Sequence, residues 1–219
     1  MLARTLGSLA GLKLDQYVVV LDRCSDRSEM LVKKFLAPLK LVKVERESGW
    51  RIHLNYLYKL GIEEADGDVV FLTQADIAVD SRIRSYLSLA EDRVVSFRNL
   101  PYLGWTTGVV LALTSLPFAR RFSGLLAFPR DWFFKYHLFR DTDILFDTQI
   151  YSTVKKLRLP YMYVKTNSWN LRPYTPRAKL YELGAARRKL GRGFLPTLLR
   201  AYVYLQPEVA VGWMWEAGS

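Results

Sequence analysis

Apolar positions along this chain keep two rhythms. Leu2, Leu6 and Leu9 recur at helical spacing, and Gly11 offers a stop. Tyr17-Val18-Val19-Val20-Leu21 is instead a continuous β-branched run, which predicts a strand buried on both faces. A polar loop, Asp22 to Asp26, leads into a second helix with Met30, Leu31, Phe35 and Leu36 on its apolar face. A short strand over Leu39 to Val44, a charged loop over Glu45 to Gly49 and a helix from Trp50 to Ala65 follow. That helix is predicted to turn Leu54, Leu57 and Leu60 inward. Asp66-Gly67-Asp68 breaks it ahead of the strand Val69 to Thr73.

The middle of the chain is mixed. Asp80-Ser81 caps a predicted helix to Ala90, and Arg93 to Phe97 and Gly108 to Leu113 have strand character. Thr114 and Ser115 can cap a short helix containing Phe118 and Phe122. The aromatic stretch Phe128 to Phe139 is irregular and predicts loop with partial helix. Ile144, Leu145, Ile150 and Val154 mark a helix over Asp141 to Leu157, with a strand near Tyr161 to Val164. From Pro176 onward Arg and Lys alternate with leucines and Phe194, as in basic amphipathic helices.

The alternation predicts an α/β fold, a Rossmann-like mixed, mostly parallel sheet flanked by helices over residues 1–175, with a basic helical segment over 176–219. In such sheets ligands bind at the carboxyl ends of the strands. The acidic loops after Leu21 and after Thr73 both fall there.

Composition narrows the partners. At 219 residues the chain is long enough for one cored domain, not two. A net charge of +11 favours an acidic partner: nucleic acid, anionic lipid or a phosphorylated small molecule. No nucleic-acid-binding motif accompanies the charge, so nucleic acid is not the expected partner. The lone cysteine, Cys24, can form no internal disulfide and fits a reducing cytosol. Charged residues interrupt every apolar run before it reaches the length of a membrane span. The start at Met1 has no signal-peptide pattern and looks like a helix already under way, which suggests sequence upstream.

Sugar transfer from a nucleotide needs a place for the base, a cation on the diphosphate and a carboxylate to take the acceptor proton. Asp22 can accept from a base, Asp76 can bind Mg²⁺ or Mn²⁺ through oxygen, and Asp141, Asp143 and Asp147 can supply the base catalyst. Each has a plainer use as a turn residue, a cap or an N-terminal helix charge. Their order is more specific. Leu21-Asp22-Arg23-Cys24-Ser25-Asp26 resembles the Asp-Asp-Gly-Ser-Thr-Asp loop of family 2 glycosyltransferases. Arg51 and Asn55, then Ala65-Asp66-Gly67-Asp68, resemble the family's next segment, and Gln74-Ala75-Asp76 is similar to its Asp-x-Asp motif. The likeness runs from about Leu2 to Leu159.

The resemblance implies a GT-A fold and a metal-dependent, inverting transferase using a UDP- or GDP-sugar, with a glycan or lipid-linked acceptor. It implies that Asp22 meets the base, Gln74 the ribose and Asp76 the metal. The base catalyst is assigned in the order Asp147, Asp143, Asp141, because Phe146-Asp147-Thr148 resembles the family's Glu-Asp-Thr. Arg51 is a candidate for phosphate and Trp105 for stacking on the acceptor. His53 and His137 lack partners at metal-ligand spacing and are expected to pack.

Two departures stand out. Gln74 replaces the motif's first Asp, so it can hydrogen-bond a hydroxyl but brings no charge. The family's opening strand and Pro-x-x-Asn-type loop are missing, which implies either a start placed too late or a sheet with fewer strands and a more open base pocket. The basic segment, with Phe194, Leu198, Trp213 and Trp215, would suit peripheral attachment to the inner face of the cell membrane, or packing on the domain, or a dimer contact.

Overall fold

The computed structural model describes residues 1–45, 50–100, 124–142, 144–171 and 207–215 and isolated positions between 181 and 198, without the side chains of 50–52, 207, 212, 213 and 215. By contact the chain forms two compact units: Met1–Pro101 with Arg121–Leu171, and Tyr102–Arg120 with Arg172–Ser219.

In the first unit α1 (Leu2–Ala10), β1 (Tyr17–Asp22), α2 (Ser28–Phe35), β2 (Leu39–Val44), α3 (Trp50–Glu63) and β3 (Val69–Leu72) follow the predicted alternation. Then come β4 (Ile77–Ala78), a 3₁₀ stretch (Ser81–Glu91), β5 (Val94–Leu100), β6 (Leu126–Pro129), α4 (Arg130–Tyr136), α5 (Phe146–Leu157) and β7 (Tyr161–Asn170). Asp80 caps the 3₁₀ stretch as expected, its side chain accepting from the Arg82 N–H. The irregular aromatic stretch resolves into β6 and α4. Its apolar run is short because Pro129 closes the strand and serves as the helix N-cap, so neither period is sustained long enough to be read. The helix predicted over Asp141 to Leu157 begins at Phe146, five residues later than expected. The segments Gly108–Leu113 and 114–122 lie outside the described residues.

The strands form two groups. β1 and β2 pair in parallel; β3, β6, β5, β7 and β4 make a mixed five-stranded sheet in that order. Within it β5 and β7 are parallel and the other pairings antiparallel, so the sheet is mixed as expected but not mostly parallel: β6 and the short β4 run against their neighbours. Val18, Val19 and Val20 are half-buried, not enclosed as the unbroken valine run predicted, and among the described residues β1 pairs with β2 alone.

The pleat of the five-stranded sheet separates two cores, since successive side chains point to opposite faces. Val95, Phe97, Leu125 and Ala127 join Leu6, Leu9, Val32 and Ile83 in one cluster, under α1, α2 and the 3₁₀ stretch. Val70, Leu72, Val94, Leu126 and Phe128 face the other, with Ile62, Phe133, Phe146 and Ile150 from α3, α4 and α5. Helices on both faces are what the alternation implied.

α3 departs from its predicted orientation. Leu54, Leu57 and Leu60 are half-buried, while His53, Asn55 and Ile62 are buried. The helix turns polar residues inward, and the reason lies in what they hold.

In the second unit α6 (Pro207–Trp215) buries Val209 and Ala210 and exposes Val211 and Met214. Leu195 and Leu198 are exposed as well. No helix among the described residues is long and apolar enough to cross a membrane.

Candidate active site

The carboxyl end of β3 delivers Gln74 and Asp76, as the position of the strand predicted. Tyr58, on α3, marks where they converge. Its hydroxyl donates to the Thr73 carbonyl at 3.3 Å, and Gln74 lies within hydrogen-bonding reach. Burial pushes the phenol up from its ordinary pKa; the Gln74 contact opposes this, and the nearby carboxylates of Asp147 and Asp76 raise it further. The phenol therefore stays neutral, a fixed dipole beside two carboxylates. Three predicted site residues from two separate stretches, Gln74, Asp76 and Asp147, are thus brought together around one tyrosine that sequence reasoning did not single out.

Packing fixes the tyrosine. Its ring lies 4.0 Å from that of Phe146, which is 1% exposed. Gly124 stands against Gln74 and Phe146: a Cβ there would lie 3.3 Å from Gln74 Nε2 and 3.9 Å from Phe146, so a side chain would crowd the amide. Asp76 is 6% exposed, and its backbone carbonyl accepts from the Leu171 N–H at 2.6 Å. The neighbouring Ala75 carbonyl accepts from Thr5 Oγ1 at 2.9 Å, which ties the motif to α1.

Asp147 occupies the first turn of α5, where the aligned backbone dipoles favour a negative charge. Its Oδ1 accepts from the Thr148 N–H at 2.7 Å and from Thr148 Oγ1 at 3.2 Å. The loop leading into α5 is gripped by two amides. Asn55 Nδ2, fully buried, approaches the carbonyls of Arg140, Thr142 and Ile144 at 3.2, 2.8 and 2.7 Å. Gln149 accepts from the Arg140 N–H and donates to the carbonyls of Arg140 and Ile144. Asp141 faces Lys59 at 3.5 Å. Asn55, Tyr58 and Lys59 stand at i, i+3 and i+4, so one face of α3 serves the acidic loop and the phenol together.

Asp22 ends β1 and meets different partners. Arg23 takes its carboxylate in a fork, Nε to Oδ1 at 2.9 Å and Nη2 to Oδ2 at 3.2 Å. His53 Nε2 stands 2.9 Å from Oδ1. Hydrogen bonding from Arg23 holds the Asp22 carboxyl below the usual carboxylate range against partial burial, with the close approach of the His53 ring acting in the same direction. Arg23 reaches this position from a left-handed backbone, φ 48°.

The sequence has no match among family models, and none among curated proteins. Solved structures do match. A mycobacterial protein superposes with a TM-score of 0.58 at 16% identity, covering 86% of this chain and 68% of its own. Glucosyl-3-phosphoglycerate synthase from Mycobacterium tuberculosis, in complex with Mg²⁺ and uridine diphosphate, gives 0.55 at 16% identity over 85% and 72%. The same enzyme with Mn²⁺, uridine diphosphate and phosphoglyceric acid gives 0.56 at 16% over 85% and 71%. The fold is GT-A.

Within this GT-A domain the sequence-derived candidates divide. Gln74, Asp76 and Asp147 converge; Asp141 is engaged by Lys59; Asp22 sits with Arg23 and His53. Arg51 lies on α3, but its side chain, like Asp143 and Trp105, lies outside the described residues. Among the described residues no three His, Cys, Asp or Glu side chains group to hold a metal. A single buried carboxylate at Asp76 still fits Mg²⁺ or Mn²⁺, because such ions commonly take one or two protein carboxylates and complete their shell with water and substrate phosphate. The residues that sequence reasoning missed are Tyr58 and Lys59. Their only signal was helical spacing from Asn55.

Proposed function

We propose that the chain is a metal-dependent, inverting glycosyltransferase that moves a sugar from a UDP- or GDP-sugar to a hydroxyl or a lipid-linked phosphate. The observation that carries this reading is the convergence of Gln74, Asp76 and Asp147 around Tyr58 at the carboxyl end of β3. In this reading Asp22 receives the base and Gln74 the ribose, while Asp76 holds the cation. A bound divalent cation would neutralise charge on the leaving diphosphate. Asp147 takes the acceptor proton as the acceptor oxygen attacks the anomeric carbon, and displacement opposite the diphosphate inverts its configuration. Tyr58 orients Gln74 and keeps a neutral hydroxyl near the two carboxylates. Arg51 meets a phosphate, and Trp105 stacks on the acceptor.

The exposed Leu195 and Leu198, on a strongly basic chain, support peripheral attachment to an anionic membrane, where a lipid-linked acceptor would be presented.

The test is a melt of the protein with UDP, GDP or their sugars, with and without Mn²⁺, beside a single-stranded oligonucleotide, followed by a transfer and hydrolysis assay. Stabilisation by nucleotide-sugar with Mn²⁺ and turnover of the donor are expected. Stabilisation by oligonucleotide alone would overturn the reading. The neutral Gln74 favours one alternative, a nucleotide-binding module without turnover. Binding with neither transfer nor hydrolysis would select it.

A further inference from the structure

His53 is buried to 5% exposure, on the first half of α3, yet it does not sit in an apolar setting. Its Nε2 stands 2.9 Å from Asp22 Oδ1, and among the described residues Nδ1 has no hydrogen-bond partner. The ring N–H is not aimed well enough to complete a hydrogen bond to the carboxylate, so the contact is a close polar pairing. A buried polar ring held against one carboxylate oxygen constrains how that carboxylate can rotate.

The acceptor inventory of Asp22 makes the constraint specific. An ionised carboxylate offers about four lone-pair directions, two on each oxygen. Oδ1 accepts from Arg23 Nε, and the His53 ring stands against it at 2.9 Å, so no further donor can approach it from that side. Among the described residues Oδ2 faces Arg23 Nη2 alone, at 3.2 Å, leaving one direction open. The Asp22 side chain is 27% exposed and the imidazole only 6%, so of the two groups the carboxylate is the one a ligand can meet.

We infer that His53 is a positioning residue for base recognition, pinning Oδ1 of Asp22 so that Oδ2 presents one fixed acceptor to a nucleobase ring N–H. This rests on the glycosyltransferase reading, in which Asp22 meets the base. A fixed, acceptor-only oxygen selects bases with a ring N–H beside a carbonyl, the imide of uracil or the lactam of guanine. Cytosine and adenine present a bare ring nitrogen at that edge, and its lone pair meets the carboxylate head-on. His53 touches no substrate; it acts through Asp22.

The experiment is titration calorimetry on the full chain with Mn²⁺, using UDP, CDP and inorganic pyrophosphate as probes. Wild type, His53→Phe, which keeps a ring and loses both nitrogens, and His53→Gln, which keeps an N–H, are compared. One charge-assisted hydrogen bond corresponds to about tenfold in affinity, so wild type should prefer UDP to CDP by about that factor. His53→Phe should bring the ratio to within about twofold of unity, with pyrophosphate affinity unchanged, and His53→Gln should keep most of the preference. His53→Leu replaces the phenylalanine variant if circular dichroism shows that the latter does not fold. A purely structural role would weaken all three ligands together. An unchanged UDP-to-CDP ratio in a folded His53→Phe or His53→Leu protein overturns the inference and leaves the transferase reading standing. If wild type binds none of the three probes, that reading falls and the inference falls with it.

Discussion

Each carboxylate in this site is defined by its neighbour. Asp147 and Asp76 share the phenol of Tyr58, Asp141 has Lys59, and Asp22 has Arg23 and His53. Asp147→Asn keeps the size and the contact with Thr148 but cannot take a proton, so turnover should fall about 10²- to 10⁴-fold with donor binding intact. Steady-state kinetics with a separate titration of UDP would check this. Tyr58→Phe keeps the ring packing on Phe146 and removes the hydroxyl that meets Thr73 and Gln74. Its expected signature is a donor KM raised about five- to tenfold, one hydrogen bond's worth, at little cost in Tm. These side chains show why chemistry was more legible than geometry. Gln74, Asp76 and Asp147 could be marked by residue type and motif order. Tyr58 and His53 could not, since a tyrosine and a histidine inside a helix look like core until the fold brings a carboxylate against them.

At the scale of elements, the acidic loop is held from two helices. Asn55→Ala would remove the amide that meets the carbonyls of Arg140, Thr142 and Ile144, leaving Gln149 to serve Arg140 and Ile144 and, among the described residues, no side-chain donor on Thr142, at a cost of about 1 kcal/mol. Chemical denaturation should show that loss. Because the loop leads into α5, the same variant should lower kcat more than it raises the donor KM. The 3₁₀ stretch has its own clasp: Asp80 accepts from Arg82 Nη2 and from the Asn167 N–H of β7, both at 2.6 Å. Hydrogen bonding from the Arg82 side chain, then from the backbone N–H groups of Asn167 and Arg82, lowers the Asp80 carboxyl to about 2. A carboxyl whose folded pKa lies below its unfolded value stabilises the fold above the unfolded value, near 4, and loses that contribution as pH falls through the folded one. Thermal melts should therefore show Asp80→Asn less stable than wild type at about pH 6, with the gap closing between about pH 4 and about pH 2. Helix and strand periods located most of these elements because each kept one rhythm for a full turn or more. β6 and α4 were hidden, since a four-residue strand runs directly into a seven-residue helix. The inward face of α3 was misread for a different reason: the amides and rings that hold the site compete with leucine for the buried side.

For the whole molecule, the GT-A architecture follows from the alternation of strands and helices, and the two cores follow from the pleat. The division of the strands into two groups was not legible, because the valine run of β1 has the same pattern whether one edge is paired or both. The basic residues beyond Pro176 give a prediction at this scale. Co-sedimentation with anionic liposomes should be strong for the full chain, fall as salt rises, and drop for a chain ending near Thr175. Equal binding by the two would refute the membrane assignment.

One helix, finally, serves both ends of the candidate site. His53 reaches Asp22 at the end of β1, while Asn55 and Lys59 reach the acidic loop and Tyr58 reaches Thr73 and Gln74. An α-helix advances about 100° per residue, so inserting one alanine between His53 and Asn55 would turn one set of contacts away from the other by more than a quarter of a circle. Point substitutions in α3 would then be survivable, but changes in its length would not. In a library of single-residue insertions and deletions scored for activity, residues 53 to 59 should form the least tolerant helical window of the chain.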